Sequence, residues 1–266
     1  MDLHLEGKRA LVTGGSKGIG LAVARQLARE GVDLVIAARN QAELDAAAAS
    51  IAAETGRKAV GITVDTAEDH SVTKLVAGTV EALGGLDILV NAAGKPGGQA
   101  PPPKLGEITD ALFHDDVNVK VMGYLRMARE VAPLMAAQGW GRIVNISGLA
   151  ARSTGSTIGS MRNVAVAALT KNLADELGPQ GINVTVVHPA LTRTEKTAGL
   201  IAGKAAASGK SEAEIEAGMS ANILIGRLVD AAEVADVVAF LASPRSVAIN
   251  GDAIACGGGI RGAIHY

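Results

Sequence analysis

The chain has 266 residues with a formal net charge of −2 at pH 7, and 48% of its residues are hydrophobic although only 2% are aromatic. A charge so near zero gives no electrostatic basis for binding nucleic acid or an anionic membrane. The one cysteine, Cys256, excludes an internal disulfide, and the scattered histidines show no metal-ligand spacing. We therefore expect a cytosolic protein without a metal site or a targeting segment, whose core consists of alanine, valine, isoleucine and leucine.

Apolar runs and helical periodicities alternate along the whole chain. Strands are predicted at residues 9–12, 33–37, 59–64, 88–90, 142–146, 183–187 and 252–255. Helices are predicted at about 19–30, 41–54, 69–83, 111–137, 159–177 and 231–241. This alternation specifies an α/β fold, a Rossmann-type doubly wound parallel sheet of about seven strands flanked by helices on both faces. We predict one domain over residues 1–266, because no linker or repeat divides the chain.

Two segments interrupt this alternation. Residues 95–106 contain four prolines and three glycines, too many helix and strand breakers for regular structure. This loop is interpreted either as the lining of a ligand crevice or as a solvated connection. Residues 195–222 are rich in alanine and interrupted by glycines, and we predict a mobile helical flap over the substrate.

The stretch TGGSKGIG at residues 13–20 joins the first predicted strand to the first predicted helix. Gly14, Gly18 and Gly20 allow positive φ angles and a close approach of the backbone to a ligand, and the N–H groups at a helix start attract anions. The sequence therefore predicts a phosphate-binding turn, with a plain tight turn as the alternative.

Further motifs downstream agree with a dinucleotide site. Asn91-Ala92-Ala93-Gly94 follows the fourth strand, Asn118 lies on the predicted helix 111–137, and Ser147 ends the fifth strand. Together with the turn they resemble the classical short-chain dehydrogenase/reductase family over nearly the whole chain. The resemblance, together with the charges of Lys17 and Arg39, predicts cofactor contacts at Thr13, Gly14, Ser16, Lys17, Gly18, Ile19, Gly20, Arg39, Asp65, Asn91, Ala92, Gly94, Pro189 and Thr194.

The family pattern gives several of these residues a role. Asp65 matches the position that contacts the adenine ring, and the segment 91–94 matches the motif that supports the central sheet. Pro189 and Thr194 match the segment that clasps the nicotinamide, although Ala190 stands where the family commonly has glycine.

Charge at the end of the second strand indicates which dinucleotide binds. Folds that prefer NAD place a carboxylate there for the ribose 2′-hydroxyl. Here Ala38 takes that place, Arg39 follows, and Lys17 lies inside the turn. Two cations suit a 2′-phosphate, so we expect NADP(H); ordinary surface cations are the alternative.

The catalytic helix departs from the family pattern. Family members usually transfer the substrate proton through a tyrosine whose pKa is lowered by a lysine four residues on. Gly159 and Asn163 occupy those two positions here. The only tyrosines are Tyr124, which does not share a helix face with Asn118, and Tyr266, the final residue. The usual proton donor is therefore missing from its position, with Tyr266 on the carboxyl-terminal tail of a neighbouring subunit as an alternative source.

Ser147 and Asn118 remain as the predicted catalytic residues. A shift of one residue would put Gly148 in place of Ser147, and Asn118 could instead be a buried asparagine bonded to a helix carbonyl. Alternative proton donors are Ser160, Arg162, His188, Lys95 or a bound water.

We thus predict an NADP(H)-dependent oxidoreductase that transfers a hydride between nicotinamide and a small-molecule carbonyl or alcohol through an atypical proton donor. The alternative is a non-catalytic NADP(H)-binding homologue acting as a sensor or oligomer partner; dehydration or isomerisation is a third option. The resemblance also implies a homodimer or homotetramer built through helices 111–137 and 159–177.

Overall fold

The computed structural model describes residues 1–94, 101–262 and 264. Lys95 and the first half of the predicted loop 95–106 lie outside the described residues, and so do His265 and Tyr266.

The centre of the molecule is a parallel sheet. The strands are β1 (Arg9–Thr13), β2 (Asp33–Ala38), β3 (Ala59–Thr63), β4 (Ile88–Asn91), β5 (Gly141–Ile146), β6 (Ile182–Pro189), β7 (Thr192–Arg193), β8 (Val229–Asp230) and β9 (Ala253–Cys256). Within the described residues, seven of them form one sheet in the order β3-β2-β1-β4-β5-β6-β9, and every neighbouring pair is parallel. The predicted doubly wound fold is confirmed.

The helices occupy the predicted places. They are α1 (Gly18–Arg29), α2 (Gln41–Thr55), α3 (Asp69–Leu83), α4 (Asp110–Val117), α5 (Gly123–Ala137), α6 (Thr157–Leu177), α7 (Glu195–Ser208), α8 (Glu212–Ser220) and α9 (Ala231–Ala242). One helix differs from the prediction. In place of a single helix over 111–137, the structure has α4 and α5, joined by a π-helical turn at Asn118–Met122. Such turns change which side chains share a face and often lie at functional sites.

Alternation along the buried strands builds two core layers. On β1, Ala10 and Val12 pack into the layer formed with α1, α2 and α9. Leu11, between them, packs into the opposite layer with α3, α5 and α6. Successive strand residues point to opposite faces of a sheet, so a run of consecutive apolar residues fills both layers at once.

Residues 195–222, the predicted flap, contain α7 and α8. β7 precedes the two helices and β8 follows them, and these short strands pair with each other. The pairing, which the sequence did not reveal, fixes both ends of the flap beside the sheet.

The order of the sheet decides where a ligand fits. β1 has β2 on one side and β4 on the other. Strands β1 to β3 thus extend the sheet in one direction and the strands from β4 onward extend it in the other, so the strand order reverses between β1 and β4. Ligands of such sheets bind outside the carboxyl ends of the strands at this reversal. Among the described residues, no helix combines the length and the apolar character that crossing a membrane requires.

Candidate cofactor and active site

The turn between β1 and α1 has a backbone that requires glycine. Gly14 and Gly18 have φ angles of 69° and 57°. A Cβ on Gly20 would lie 2.2 Å from the Gly14 carbonyl oxygen, and a Cβ on Gly14 would lie 2.7 Å from that of Ala92. Any side chain here would separate the turn from α1 and from the end of β4. The glycines therefore create a narrow cradle at the start of α1.

The start of α1 already binds an oxyanion. Lys17, at the N-cap, makes no side-chain capping bond, so the first N–H groups of the helix need other partners. The Gly18 N–H donates to Glu195 Oε1 at 2.9 Å, and the methyl group of Thr194 lies beside the same glycine. A carboxylate from the flap thus occupies a position that suits a dinucleotide phosphate. The residues present fit this cofactor.

The two cations proposed for the 2′-phosphate differ in their surroundings. Lys17 forms an ion pair with Glu43, with Nζ 2.7 Å from Oε1. Arg39 is exposed just beyond the end of β2 and forms no hydrogen bond or ion pair with another described residue. The charge of Lys17 is therefore already paired with Glu43, whereas Arg39 presents its charge at the surface.

The remaining cofactor candidates support the cradle. Thr13 Oγ1 accepts hydrogen bonds from the N–H groups of Ala92 and Ala93 at 3.2 and 3.3 Å. Asn91 Nδ2 donates to Asn145 Oδ1 at 3.0 Å, which ties β4 to β5. The Asn91 Oδ1 atom is buried and has no hydrogen-bond partner among the described residues. These bonds hold the end of β4 against the turn, as the family resemblance implies.

Other candidate residues lie at the same edge of the sheet. Ser16 and Ile19 are half-buried in the turn. Asp65 follows β3, is exposed, and accepts a hydrogen bond from the Ala67 N–H at 3.0 Å. Pro189 ends β6. Ala190 does not have a positive φ, which explains why alanine is accepted where the family commonly has glycine.

A buried lysine, Lys120, lies beside Ser147 and Asn163 and was not among the predicted proton donors. Only 7% of Lys120 is exposed. Its Nζ donates to the Ser147 carbonyl oxygen at 3.1 Å and to Asn163 Oδ1 at 3.2 Å. A Cβ placed on Gly94 would lie 3.4 Å from Lys120 Cδ, so the aliphatic part of the lysine packs on the cofactor motif.

The surroundings of Lys120 weaken its hold on a proton. Burial lowers the pKa of Lys120 from its usual 10.5 to about 7; the positive charge of Arg162 acts in the same direction and Asp116 opposes it. Asp116 is bound to Arg162 through both carboxylate oxygens, at 2.9 and 2.7 Å from Nη1. An amine with a pKa close to neutrality can donate and accept protons under physiological conditions.

The two predicted catalytic residues have different outcomes. Ser147 lies in the cluster, and its Oγ donates to the Asn163 carbonyl oxygen at 3.2 Å. Asn118 faces away, because its Oδ1 accepts a 2.8 Å bond from Arg126 and its Nδ2 points to the Ala67 carbonyl oxygen at 3.5 Å. The structure therefore brings Ser147, but not Asn118, into hydrogen-bonding contact with Lys120 and Asn163.

Gly159 stands at the tyrosine position on α6. A Cβ there would lie 2.7 Å from Ser156 Oγ, so a larger side chain would displace the hydroxyl that caps α6. Tyr124 is fully buried, and its hydroxyl donates to the Ile146 carbonyl oxygen at 2.9 Å. Burial also raises the pKa of Tyr124 far above its usual range, which makes that phenol a poor proton donor.

Three other proposed donors have local partners. Ser160 Oγ donates to the Ser153 carbonyl oxygen at 2.9 Å. His188 is buried, and its Nδ1 accepts a 3.4 Å bond from the Gly148 N–H. Arg162 is engaged with Asp116, as described above. Lys120 is thus the titratable group that the sequence analysis missed.

The sequence contains only a weak indication that Lys120 matters. Lys120 is a charged residue between Val119 and Val121, two positions after Asn118. In a helix, residues two positions apart point in nearly opposite directions. Placing Asn118 in the active site therefore placed Lys120 outside it, whereas in the structure Lys120 contacts Ser147 and Asn163 and Asn118 contacts Arg126.

The chain is similar to known reductases over almost its whole length. A family model described as enoyl-(acyl carrier protein) reductase matches residues 14–261. Dehydrogenase/reductase SDR family member 4 of Oryctolagus cuniculus is 35% identical over 260 residues, which cover 96% of this chain and 94% of that protein.

Two solved structures are also similar. The L-sorbose reductase of Gluconobacter frateurii, complexed with NADPH and L-sorbose, has a TM-score of 0.93 and 29% identity, covering 99% of this chain and 100% of that chain. An actinorhodin polyketide ketoreductase variant with NADPH has a TM-score of 0.85 and 34% identity, covering 94% and 96% of the two chains. With a family model over most of the sequence and relatives of this identity, the chain belongs to the short-chain dehydrogenase/reductase family of oxidoreductases.

Proposed function

We propose that this protein is an NADP(H)-dependent oxidoreductase that transfers a hydride between nicotinamide and a carbonyl or alcohol carbon. The observation that carries the proposal is the glycine cradle at the start of α1, where the Gly18 N–H holds a carboxylate oxygen of Glu195. Two similar structures, the L-sorbose reductase and the polyketide ketoreductase, both hold NADPH and support the same cofactor.

When bound, the nicotinamide supplies or accepts the hydride, and the chain provides the rest. The N–H groups at the start of α1 and Arg39 bind the phosphates, while Thr194 lies beside Gly18 at the entrance of the flap. The Ser147 hydroxyl lies at the carboxyl end of β5, where it can direct its hydrogen bond to a substrate oxygen instead of to Asn163. Tyr124, the only tyrosine among the described residues, is fully buried and bonded to the Ile146 carbonyl oxygen, so we look to another group for the proton.

The proposal is tested by purified protein with NADPH and a panel of aldehydes, ketones and quinones, and with NADP⁺ and the matching alcohols. We expect at least one substrate to be converted above background, and Ser147→Ala to lower that rate. Tight NADPH binding without turnover in either panel would instead identify a nucleotide-binding homologue without catalytic activity.

Arg39 carries the preference for NADP(H) over NAD(H) in this proposal. Losing a charge-assisted hydrogen bond costs about 1.5–3 kcal/mol, which is roughly 10- to 150-fold in affinity. We expect Arg39→Ala to raise the Kd for NADPH by such a factor and to leave the Kd for NADH within about twofold. Arg29→Ala, at an exposed arginine of α1, is the control and should change neither value.

If Arg39→Ala changed the Kd for NADPH no more than Arg29→Ala does, another residue would recognise the 2′-phosphate. Lys17→Ala then becomes the decisive variant, because Lys17 has to leave Glu43 before it can bind a phosphate.

We also propose that the whole chain acts as one domain in the cytoplasm and assembles as a homodimer or homotetramer. Several large apolar side chains of the π-turn, α5 and α6 are exposed: Met122, Leu134, Met161 and Val164. Burying them against a second copy is the arrangement that the long helices favour. Light scattering of the purified protein measures the assembly directly.

A further inference from the structure

We propose that Lys120 donates the proton to the substrate oxygen when a carbonyl is reduced and takes the proton back when the alcohol is oxidised. This inference rests on the proposed oxidoreductase function and names the group that replaces the missing tyrosine. Lys120 lies on the π-helical turn Asn118–Met122, not on α6, where the family carries its proton donor.

The first argument is position. Lys120 packs on Gly94, which follows β4, and its Nζ bonds the carbonyl oxygen of Ser147, which follows β5. Gly94 belongs to the same segment as Ala92, whose carbonyl oxygen borders the glycine turn. The ammonium therefore lies at the carboxyl ends of β4 and β5, next to the reversal of strand order where a ligand of this fold binds.

The second argument is hydrogen bonding. An ammonium group has three N–H donors and no acceptor. Two of these donors reach the Ser147 carbonyl oxygen and Asn163 Oδ1, and within the described residues the third has no partner. Asn163, at the position of the family's lysine, thus orients the amine of Lys120. The third N–H remains for a substrate oxygen.

The third argument is charge. Asp116 lies four residues before Lys120, a spacing that favours an ion pair on a helix. Both oxygens of Asp116 bind Arg162 on α6 instead. Lys120 is therefore left with neutral acceptors inside the protein, beside the cation Arg162. The buried titratable side chain of His188, on β6, accepts a hydrogen bond from the Gly148 N–H through Nδ1.

The step balances in atoms and charge. In reduction, a hydride from the reduced nicotinamide dinucleotide adds to the carbonyl carbon, and the carbonyl π electrons move to oxygen. That oxygen takes a proton from Lys120, whose ammonium becomes a neutral amine. The amine recovers a proton from water after the alcohol leaves, and oxidation of an alcohol runs through the same steps in reverse.

A purely structural role is the competing explanation, in which Lys120 only joins the π-turn to β5 and α6. Two substitutions separate the two roles. Lys120→Met removes the charge and the proton. Lys120→Arg keeps the charge and the hydrogen-bond donors, but a guanidinium does not release a proton at any accessible pH. The control is Lys171→Met, at an exposed lysine of α6 paired with Asp175.

The experiment measures kcat for NADPH-dependent reduction from pH 5.5 to 9, on the best substrate of the panel, and the Kd for NADPH of each variant. We expect kcat to fall about 10²- to 10⁴-fold in both Lys120 variants, the usual contribution of general acid catalysis, with NADPH binding within threefold of the unsubstituted protein. The unsubstituted protein and Lys171→Met should lose reductase activity above a pKa near 7, and the Lys120 variants should lack this step.

Activity of Lys120→Arg within threefold of the unsubstituted protein would overturn the inference, because only the charge would then matter. A persisting pH step in Lys120→Met would overturn it as well. If a Lys120 variant fails to fold, the profile of the unsubstituted protein still decides: the absence of a step between pH 6 and 8 refutes the proton donor. Absence of turnover in the unsubstituted protein refutes the proposed function itself.

Discussion

The buried amine of Lys120 makes a prediction about folding that needs no substrate. Its pKa lies at about 7 in the folded protein, against 10.5 for an ordinary lysine, chiefly because burial disfavours the charged form. Between these two values the unfolded chain binds more protons than the folded one. The free energy of unfolding must therefore rise with pH in this window. Below about pH 7 both states are protonated and the effect is constant.

The size of the effect follows from the two pKa values. One pH unit corresponds to about 1.4 kcal/mol, so the whole window is worth at most about 5 kcal/mol. Between pH 7 and 9, the free energy of unfolding should rise by about 2–3 kcal/mol relative to Lys120→Met, which cannot titrate. Methionine also leaves Asn163 Oδ1 without its donor, a cost of about 1–3 kcal/mol that does not depend on pH.

Urea denaturation at pH 7, 8 and 9 measures this difference. Trp140 is the one tryptophan of the chain, and it packs on the core with Lys8 and Arg142 over its ring, so its fluorescence reports unfolding. The difference between Lys171→Met and the unsubstituted protein should stay constant, because the pKa of Lys171 is raised by Asp175 and any effect lies above pH 10.5. A constant difference for Lys120→Met would show that Lys120 keeps an ordinary pKa and would refute the reasoning.

Two further predictions concern the glycine turn. Gly20→Ala should abolish NADPH binding, because its Cβ would lie 2.2 Å from the Gly14 carbonyl oxygen. It should also lower the free energy of unfolding, measured by thermal unfolding, by about 1–3 kcal/mol, the usual cost of overpacking. The control is Gly199→Ala, which has nothing within 4 Å of its Cβ and should leave stability unchanged or slightly raised. Glu195→Gln should lower the Kd for NADPH roughly 2- to 10-fold, as expected for about 0.5–1.5 kcal/mol from a competing exposed hydrogen bond. An unchanged or raised Kd, measured by nucleotide fluorescence, would show that the Glu195 carboxylate does not compete with the phosphates.

The sequence predicted the sheet well because its signals are local. Most strands contain a short apolar run, such as residues 34–37 on β2, and each helix begins or ends at glycine or a capping residue, as Asn40 and Gly56 do at the two ends of α2. The short pairing of β7 with β8 joins residues far apart in sequence, at Thr192 and Val229. Two-residue strands carry no periodicity, so this element could not be predicted.

The active site was harder to predict for a related reason. Ser147 was found because it directly follows a buried strand. Lys120 was missed because its position depends on the π-turn, which sequence periodicity does not show, and on the neighbours that surround it. The partners of Asp116 likewise could not be chosen from sequence, since Lys120 and Arg162 are both available to it, four residues along the same helical run and 46 residues away.

Asp116 pairs with Arg162 and not with Lys120, and this is the strongest physical reason to assign Lys120 a chemical role. A lysine whose task is only to join elements would gain most by pairing with Asp116, because an ion pair compensates part of the cost of burying its charge. Here Arg162 takes both carboxylate oxygens, and Lys120 is held by a carbonyl and an amide oxygen. Neutral acceptors orient the amine without stabilising its charge as a carboxylate would. The resulting site lowers folding stability at neutral pH, and it holds an amine that can release its proton at the edge of the sheet where ligands of this fold bind.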